Sequence, residues 1–124
     1  MRRAALLVIG LVTTIGIFAG ARSAQAQFGA IAYDRANCAW GRSWNFASPR
    51  EAAAVALAEC RYAGCQVILE IGPHQCGSLA STVNCRGYGW ATSGSRSGAQ
   101  YAALQACVRY NAGECIARVG DCNR

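Results

Sequence analysis

The sequence predicts an α+β fold in which two pseudo-symmetric β-β-α-β repeats form one small disulfide-rich domain. Three observations point to it: a self-similarity at an offset of 47 residues, an even set of eight cysteines, and a capped helix followed by a β-branched run. Internal repeats of this kind are structural units, so we expect repeat one at about residues 28–75 and repeat two at about residues 76–122. The offset maps three pairs of matching residues: Cys38 onto Cys85, Leu57 onto Leu104, and Cys60 onto Cys107.

The first helix is predicted to begin at Ser48. Ser48 and Glu51 fit a capping box, in which each side chain accepts a hydrogen bond from the other residue's backbone amide. Pro49 takes the first helical position, where a missing N–H costs nothing. The alanine-rich stretch that follows favours a helix. Gly64 is expected to supply a permissive turn position after it, and residues 66–71 predict a strand.

The remaining elements complete the two repeats. The second helix is predicted at residues 99–107, opened by Ser95 or by Ser97, and Ser97 with Gln100 also fits a capping box. Alternation and turn residues predict the other strands at residues 28–34, 38–46, 76–83, 88–92 and 116–119.

Residues 1–26 are predicted to be a cleaved secretory signal peptide. A basic start, an apolar run of 17 residues and the small-x-small site at residues 24–26 indicate it, and they make Gln27 the mature N-terminus. The alternative is a single membrane anchor, because the apolar run approaches the lower limit for a span. We expect no membrane span in residues 27–124, and a location in the bacterial periplasm or outside the cell.

The charge pattern argues against a nucleic-acid partner. Removing the three arginines of the signal peptide lowers the net charge from +6 to +3. The chain has no lysine, and its other arginines are scattered singly rather than clustered as in a nucleic-acid binder. We interpret them as solvated surface charge.

All eight cysteines follow the signal peptide, which predicts a disulfide framework. Repeat symmetry narrows the possible pairings, because pairs should map onto each other or join equivalent positions. Two predicted bridges close the helix-to-strand turns, and two tie the halves together. The predicted bridges are Cys60–Cys65, Cys107–Cys115, Cys38–Cys85 and Cys76–Cys122.

No catalytic residue is predicted. His74, the sole histidine, lies in a predicted turn without an identifiable nucleophile. The cysteines lack C-x-x-C spacing, so we predict no metal site, no redox motif and no cofactor. Glu70 and Asp121 are the acids that could serve a small envelope hydrolase, with carboxylates in an aromatic-lined groove. That activity is the alternative function.

Five aromatic residues on short glycine-flanked strands are candidate binding residues. An exposed row of them could bind a glycan or a partner's apolar surface, whereas the alternative is cross-strand packing in a small core. A binding role predicts a symmetric, paired groove. We therefore predict an effector-like or inhibitor-like binding module, with a protein or envelope component as partner. The five residues are Tyr33, Trp40, Trp44, Tyr88 and Trp90.

An ordered set of short motifs resembles the bacterial domain of unknown function 4189. The set comprises a strand at residues 29–33, a Gly/aromatic strand at residues 40–44, and a Cys-Gly-Ser-Leu-Ala junction at residues 76–80. Tyr-Gly-Trp at residues 88–90 and the alanine-rich helix at residues 102–107 repeat the first half. The resemblance implies a small exported bacterial protein and supplies no catalytic residues. Two cysteines depart from the family pattern at equivalent places, Cys38 and Cys85, which favours an added bridge.

Overall fold

A computed structural model describes residues 26–124, so the predicted signal peptide lies outside the described residues except for its last one. Each half of this part of the chain runs β-β-α-β, which confirms the predicted α+β fold. The elements are β1 (Phe28–Asp34), β2 (Ala39–Phe46), α1 (Pro49–Cys60), β3 (Gln66–Ile71), β4 (Cys76–Thr82), β5 (Tyr88–Ser93), α2 (Arg96–Val108) and β6 (Cys115–Cys122).

The strands form two antiparallel three-stranded sheets with equivalent orders, β2-β1-β3 and β5-β4-β6. In the first sheet Ala32 pairs with Gly41, and in the second Ala80 pairs with Gly89. These two pairs occupy the same place in the two repeats. The residues before the glycines are therefore counterparts, so that the position of Trp40 in β2 corresponds to that of Tyr88 in β5.

The two sheets pack against each other across a shared core. Its buried residues come from both repeats and include Ile31 and Ile71 from the first sheet and Leu79 and Val119 from the second. The outer face of each sheet carries small residues that pack against its own helix. Among residues 26–124 no helix is long and apolar enough to cross a membrane.

Each helix lies directly on a glycine of the neighbouring strand. A Cβ atom added to Gly41 would collide with the backbone of α1 at the Ala56 carbonyl. A Cβ atom on Gly89 would lie 2.5 Å from the Ala103 carbonyl oxygen and 2.5 Å from the Cys107 nitrogen of α2. Glycine is thus required at both positions by the close approach of helix and sheet.

The helix caps agree with the predictions only in part. Ser48 accepts a hydrogen bond from the Glu51 amide at 3.1 Å, so α1 begins where expected. In α2 the cap is Ser95, which accepts from the Gly98 amide at 3.1 Å; Ser97 lies within the helix. Gly64 lies in the turn after α1, as expected, in which the Cys65 amide donates to the Tyr62 carbonyl at 3.0 Å. The left-handed residue that ends the helix is Arg61.

A contact with strand β1 explains why residue 64 is a glycine. A Cβ atom at this position would lie 2.8 Å from Asp34 Oδ2. The β1–β2 turn and the segment after α1 therefore approach each other too closely for a side chain at residue 64.

The eight cysteines form four disulfides, which are the pairs that the repeat symmetry predicts: Cys38–Cys85, Cys60–Cys65, Cys76–Cys122 and Cys107–Cys115. Cys38–Cys85 joins the two repeats. We expected Cys76–Cys122 to join the two halves, and this was wrong. These residues pair directly across β4 and β6, so the bond lies within the second sheet. They are not counterparts in the two repeats.

Candidate functional site

An open cleft lies between the two repeats, beside the turn that follows β1. Its volume is about 320 Å³, and its walls come from both repeats. We call it the inter-repeat cleft. Nine residues line it: Tyr33, Asp34, Arg35, Ala36, Gly64, Gln66, Ile68, Tyr88 and Trp90.

Three aromatic rings build one wall of the cleft. The Tyr88 ring centroid lies 5.6 Å from that of Tyr33 and 5.5 Å from that of Trp90, with the Tyr88 and Trp90 planes 16° apart. These distances are typical of favourable aromatic pairs. Tyr33 is buried, and its burial raises the pKa of the hydroxyl. Trp90 is 37% exposed and is the accessible part of the wall.

Arg35 places a positive charge at the edge of this wall. Its guanidinium carbon lies 5.1 Å from the Tyr88 ring centroid and 6.0 Å from that of Tyr110, within the range of a cation–π contact. Nη2 also donates a hydrogen bond to the Arg86 carbonyl at 2.8 Å. The side chain is thus held against the aromatic rings although it is exposed to solvent.

Asp34 supplies a carboxylate beside Arg35. The residue is only 4% exposed. Oδ2 accepts a hydrogen bond from Asn37 Nδ2 at 2.7 Å, and Oδ1 accepts one from the Asn37 backbone amide at 3.2 Å. These bonds, led by the one from the Asn37 side chain, hold the pKa of Asp34 below its usual value. Asp34 is therefore ionised at neutral pH.

Each sheet contains a β-bulge, and one of the two contributes a residue to the cleft. The pairing of the outer strand shifts by one residue at the same place in both sheets. This leaves Ile68 as the extra residue in β3 and Arg118 as the extra residue in β6. Bulges re-aim side chains next to functional sites, and here the two repeats carry different residues at the same bulge.

Arg118, the extra residue in β6, lies over the aromatic ring of Trp40 in the first repeat. Its guanidinium carbon lies 5.1 Å from the ring centroid of Trp40. Nε donates to Ser81 Oγ at 2.9 Å, and Nη2 donates to the Thr82 carbonyl at 3.3 Å. The side chain is thereby fixed over the indole.

The bulge residues thus break the symmetry of the molecule. Trp40 and Tyr88 are counterparts, and each faces the bulge residue of the other repeat. The Arg118 guanidinium lies over the Trp40 ring, whereas Ile68 lines the inter-repeat cleft beside Tyr88 and Trp90. At Tyr88 the guanidinium over the ring comes from Arg35 in the β1–β2 turn and not from the bulge.

A family model for the domain of unknown function DUF4189 matches residues 28–122, which include every strand and both helices. The chain belongs to this family.

The DUF4189 domain of this chain is also similar to mycobacterial proteins. Protein Rv1269c of Mycobacterium tuberculosis and Protein Mb1300c of Mycobacterium bovis are each 39% identical to it over 61 residues. The matched segment is 49% of this chain and 45% of each relative, so the chain spans less than half the length of the curated relatives it matches. No solved structure matches the chain significantly.

The DUF4189 fold brings three of the five candidate aromatics together, namely Tyr33, Tyr88 and Trp90. It places Trp40 under Arg118. Trp44 is half-buried against the core, and its Nε1 atom is buried without a hydrogen-bond partner in the part of the chain that the structure describes. The five predicted aromatics therefore do not form two equivalent rows: three of them line the inter-repeat cleft, and Trp40 has Arg118 over its ring.

Two further hollows do occupy equivalent places, at the C-terminal ends of the two helices. One of about 350 Å³ lies between Trp40 and Tyr62. The other, of about 170 Å³, lies between Trp90 and Tyr110. These hollows are the closest counterpart of the predicted paired groove.

Sequence reasoning missed several residues of the cleft, namely Asp34, Arg35 and Ile68, and its neighbour Tyr110. Tyr110 carried a usable signal, since it belongs to the Arg-Tyr motif that follows each helix. Asp34 is the last residue of β1 and Arg35 follows it, and no pattern in the sequence connected either with a binding site. Ile68 carried no signal, because a bulge is not visible in a strand of six residues.

The catalytic candidates of the DUF4189 chain lie apart from the residues that define the cleft. Glu70 and His74 are exposed. Asp121 pairs with Arg96 Nη2 at 2.8 Å, and its pKa is lowered chiefly by a hydrogen bond from the Cys122 amide. Within residues 26–124 no group of three or more histidine, cysteine or acidic residues could hold a metal ion.

Proposed function

We propose that the protein is an exported, disulfide-stabilised binding module that takes its ligand in the inter-repeat cleft. The location we propose is the bacterial periplasm or the extracellular space, and the target is a component of the envelope or of a partner protein. The module acts as an effector or an inhibitor does, by binding to its target.

The four disulfides support the proposed location. Structural disulfides persist in oxidising compartments such as the periplasm and the extracellular space. Each bridge also compensates for the small core of a domain of this size. The predicted signal peptide at residues 1–26 provides the route of export.

The observation that carries the binding role is the accessible indole of Trp90 beside a cavity that also holds two charged groups. Trp90 is 37% exposed, and the cavity is lined by Asp34, Arg35 and the bulge residue Ile68. At the other bulge Arg118 lies over Trp40, so the two repeats do not present the same surface. Concave sites with aromatic walls and a few polar groups are typical of ligand binding.

The test uses the second repeat as a template for closing the cleft. Ile68→Arg places at the β3 bulge the residue that covers Trp40 at the β6 bulge. We expect the variant to fold and to lose binding of small probes. Binding is measured on the full chain, exported and purified, from shifts of the Trp90 indole signal and of the Gln66 and Tyr88 amides in two-dimensional NMR spectra.

The matched control is Ile116→Arg. Ile116 is 39% exposed on β6 and does not line the inter-repeat cleft, so the substitution adds the same charge to a strand without filling the cavity. The probes are neutral hexoses, a uronic acid, an amino sugar and N-acetyl-tryptophanamide. A probe that binds wild type and Ile116→Arg alike, but not Ile68→Arg, supports the proposal. The proposal is wrong if no probe affects the cleft, or if Ile68→Arg binds as wild type does.

The alternative of an envelope hydrolase would gain support from a carboxylic acid that stays protonated near neutral pH inside the cleft. Asp34 shows the opposite behaviour, because the hydrogen bonds from Asn37 lower its pKa. Asp121 is likewise held ionised, beside Arg96. We therefore do not extend the proposal to hydrolysis.

A further inference from the structure

We infer that the inter-repeat cleft takes a neutral, polyhydroxylated ring, that is, one uncharged hexopyranose unit of a glycan. This inference rests on the proposed binding function and names the chemical class of its ligand. It combines three features of the cleft: an accessible aromatic wall, a balanced pair of charges, and a small volume.

The aromatic wall matches one side of a pyranose ring. A hexopyranose has a face of C–H groups and a rim of hydroxyls, and C–H faces pack well on aromatic rings. Trp90 is the exposed member of the wall, and Tyr88 backs it at 5.5 Å with nearly parallel planes. Because the two rings are stacked, the flat apolar surface that a ligand meets is the exposed indole of Trp90.

The charges of the cleft cancel. Asp34 is an anion and the adjoining Arg35 is a cation, so neither an anionic nor a cationic ligand gains a net Coulomb attraction over a neutral one. A hydroxyl group suits this pair, because it donates to a carboxylate and accepts from a guanidinium.

Both charged groups keep capacity for a ligand. An ionised carboxylate has about four lone-pair sites, and Asn37 occupies one on each oxygen of Asp34. Of the five guanidinium donors of Arg35, one bonds to the Arg86 carbonyl. The exposed Gln66 adds an amide donor and acceptor at the rim.

The volume limits the size of the ligand. At about 320 Å³ the cleft lies at the small end of small-molecule sites, which span roughly 300–1,000 Å³. Because it is open to solvent on one side, a single ring can occupy it while the rest of a glycan extends outward. The ligand is thus a unit of a larger glycan or a free sugar.

The experiment compares neutral sugars with an anionic and a cationic relative of glucose. The protein is titrated separately with each sugar. The neutral sugars are glucose, galactose, mannose and N-acetylglucosamine, the charged ones are glucuronate and glucosamine, and N-acetyl-tryptophanamide is the apolar probe. We expect at least one neutral sugar to shift the Trp90 indole and Gln66 amide signals at lower concentration than either charged analogue. Trp90→Ala should weaken that binding about tenfold, because it removes the accessible half of the aromatic pair.

A second variant tests the charge argument. Arg35→Gln leaves the negative charge of Asp34 alone in the cleft, so glucosamine binding should strengthen and glucuronate binding should weaken relative to wild type. The control Ile116→Arg should leave the order of affinities unchanged.

Failure of the inference differs from failure of the proposed function. Suppose that no neutral sugar binds, that N-acetyl-tryptophanamide or a charged sugar does bind, and that Ile68→Arg abolishes that binding. The neutral-sugar inference is then wrong, and the binding site stands. If no probe shifts the cleft signals, or if Ile68→Arg binds every probe as wild type does, both are wrong.

Discussion

At the scale of single residues, Asp34 joins the fold to the cleft. Its carboxylate closes the β1–β2 turn by accepting two hydrogen bonds from Asn37, and it also borders the aromatic wall. An aspartate that bonds to the backbone three residues later is a common turn device. Here the same bonds keep the group ionised, because they favour the charged form.

The contribution of Asp34 to stability should therefore depend on pH. Its folded-state pKa is lower than its ordinary value of 3.8, so its stabilising effect is present above that value and is lost as the pH falls through the lower folded-state pKa. Asp34→Asn should destabilise the protein at neutral pH and much less in strong acid. Urea unfolding of both proteins across this range measures the difference.

Asn37→Ala is the companion variant for this prediction. It removes the bond from the side-chain amide, which is the largest cause of the lowered pKa. We expect it to reproduce most of the pH-dependent loss and to add little to Asp34→Asn. An equal loss of stability at every pH would show that the carboxylate charge is not the cause.

At the scale of secondary structure, contact between helix and strand backbones organises both repeats. Gly41 under α1 and Gly89 under α2 leave no room for a Cβ atom, and the alanines of the helices complete the contact. Such an interface tolerates almost no added volume, because both sides are backbone or small side chains.

Gly89→Ala should therefore destabilise the protein by about 1–3 kcal/mol, the usual cost of overpacking. The added methyl would lie 2.5 Å from the Ala103 oxygen, and α2 would have to move away from the sheet. Thermal or urea unfolding measures the loss.

The matched control for Gly89→Ala is Gly94→Ala. A Cβ atom at Gly94 would meet nothing within 4 Å. This substitution should be neutral or slightly stabilising, because alanine restricts the unfolded chain. Similar losses in both variants would mean that the close approach of α2 to the sheet does not account for the glycine.

Most elements could be predicted from the sequence because their signals are local. The Ser48 cap, the alanine-rich helix and the alternating strands each depend on neighbours in the chain. The bulges at Ile68 and Arg118 could not be predicted, because they arise where a strand pairs with β1 or β4. The cleft residues were missed for the same reason: strand β5 and the β1–β2 turn meet only in the folded molecule.

Gly64 illustrates the same limit at a single position. From the sequence, a glycine after a helix indicates a left-handed turn residue. The structure places that conformation at Arg61 and reserves Gly64 for the approach of Asp34. The glycine did mark a special position, but glycine is needed there because of a contact with Asp34 in the distant strand β1.

At the scale of the whole molecule, the two repeats are tied together by more than their shared core. Cys38–Cys85 links the turns of the two hairpins. At the opposite end of the chain, Asn123 donates hydrogen bonds to the Ile71 and Gly72 carbonyls at 3.0 and 2.9 Å, and accepts one from the Asn45 amide at 2.9 Å. Repeat symmetry indicated the disulfide, whereas nothing in the sequence marked Asn123.

Removing the inter-repeat disulfide should cost more stability than removing a local one. Cys38 and Cys85 are separated by 47 residues and Cys60 and Cys65 by 5. Loop-closure entropy then gives losses of about 4 kcal/mol and about 2 kcal/mol for the paired serine substitutions. Urea unfolding of the exported proteins measures both, after mass spectrometry and a peptide map have verified four bridges in the parent. Equal losses would contradict the entropic explanation.

The bond between Cys38 and Cys85 also bears on how the two copies are held together. It joins the β1–β2 turn of one copy to the β4–β5 turn of the other, one residue away from the register that relates the flanking strands. A pair of subunits related by a twofold axis and linked through the same turn would have a similar arrangement. The chain thus has the organisation of two linked copies, which carry different residues, Ile68 and Arg118, at the same bulge.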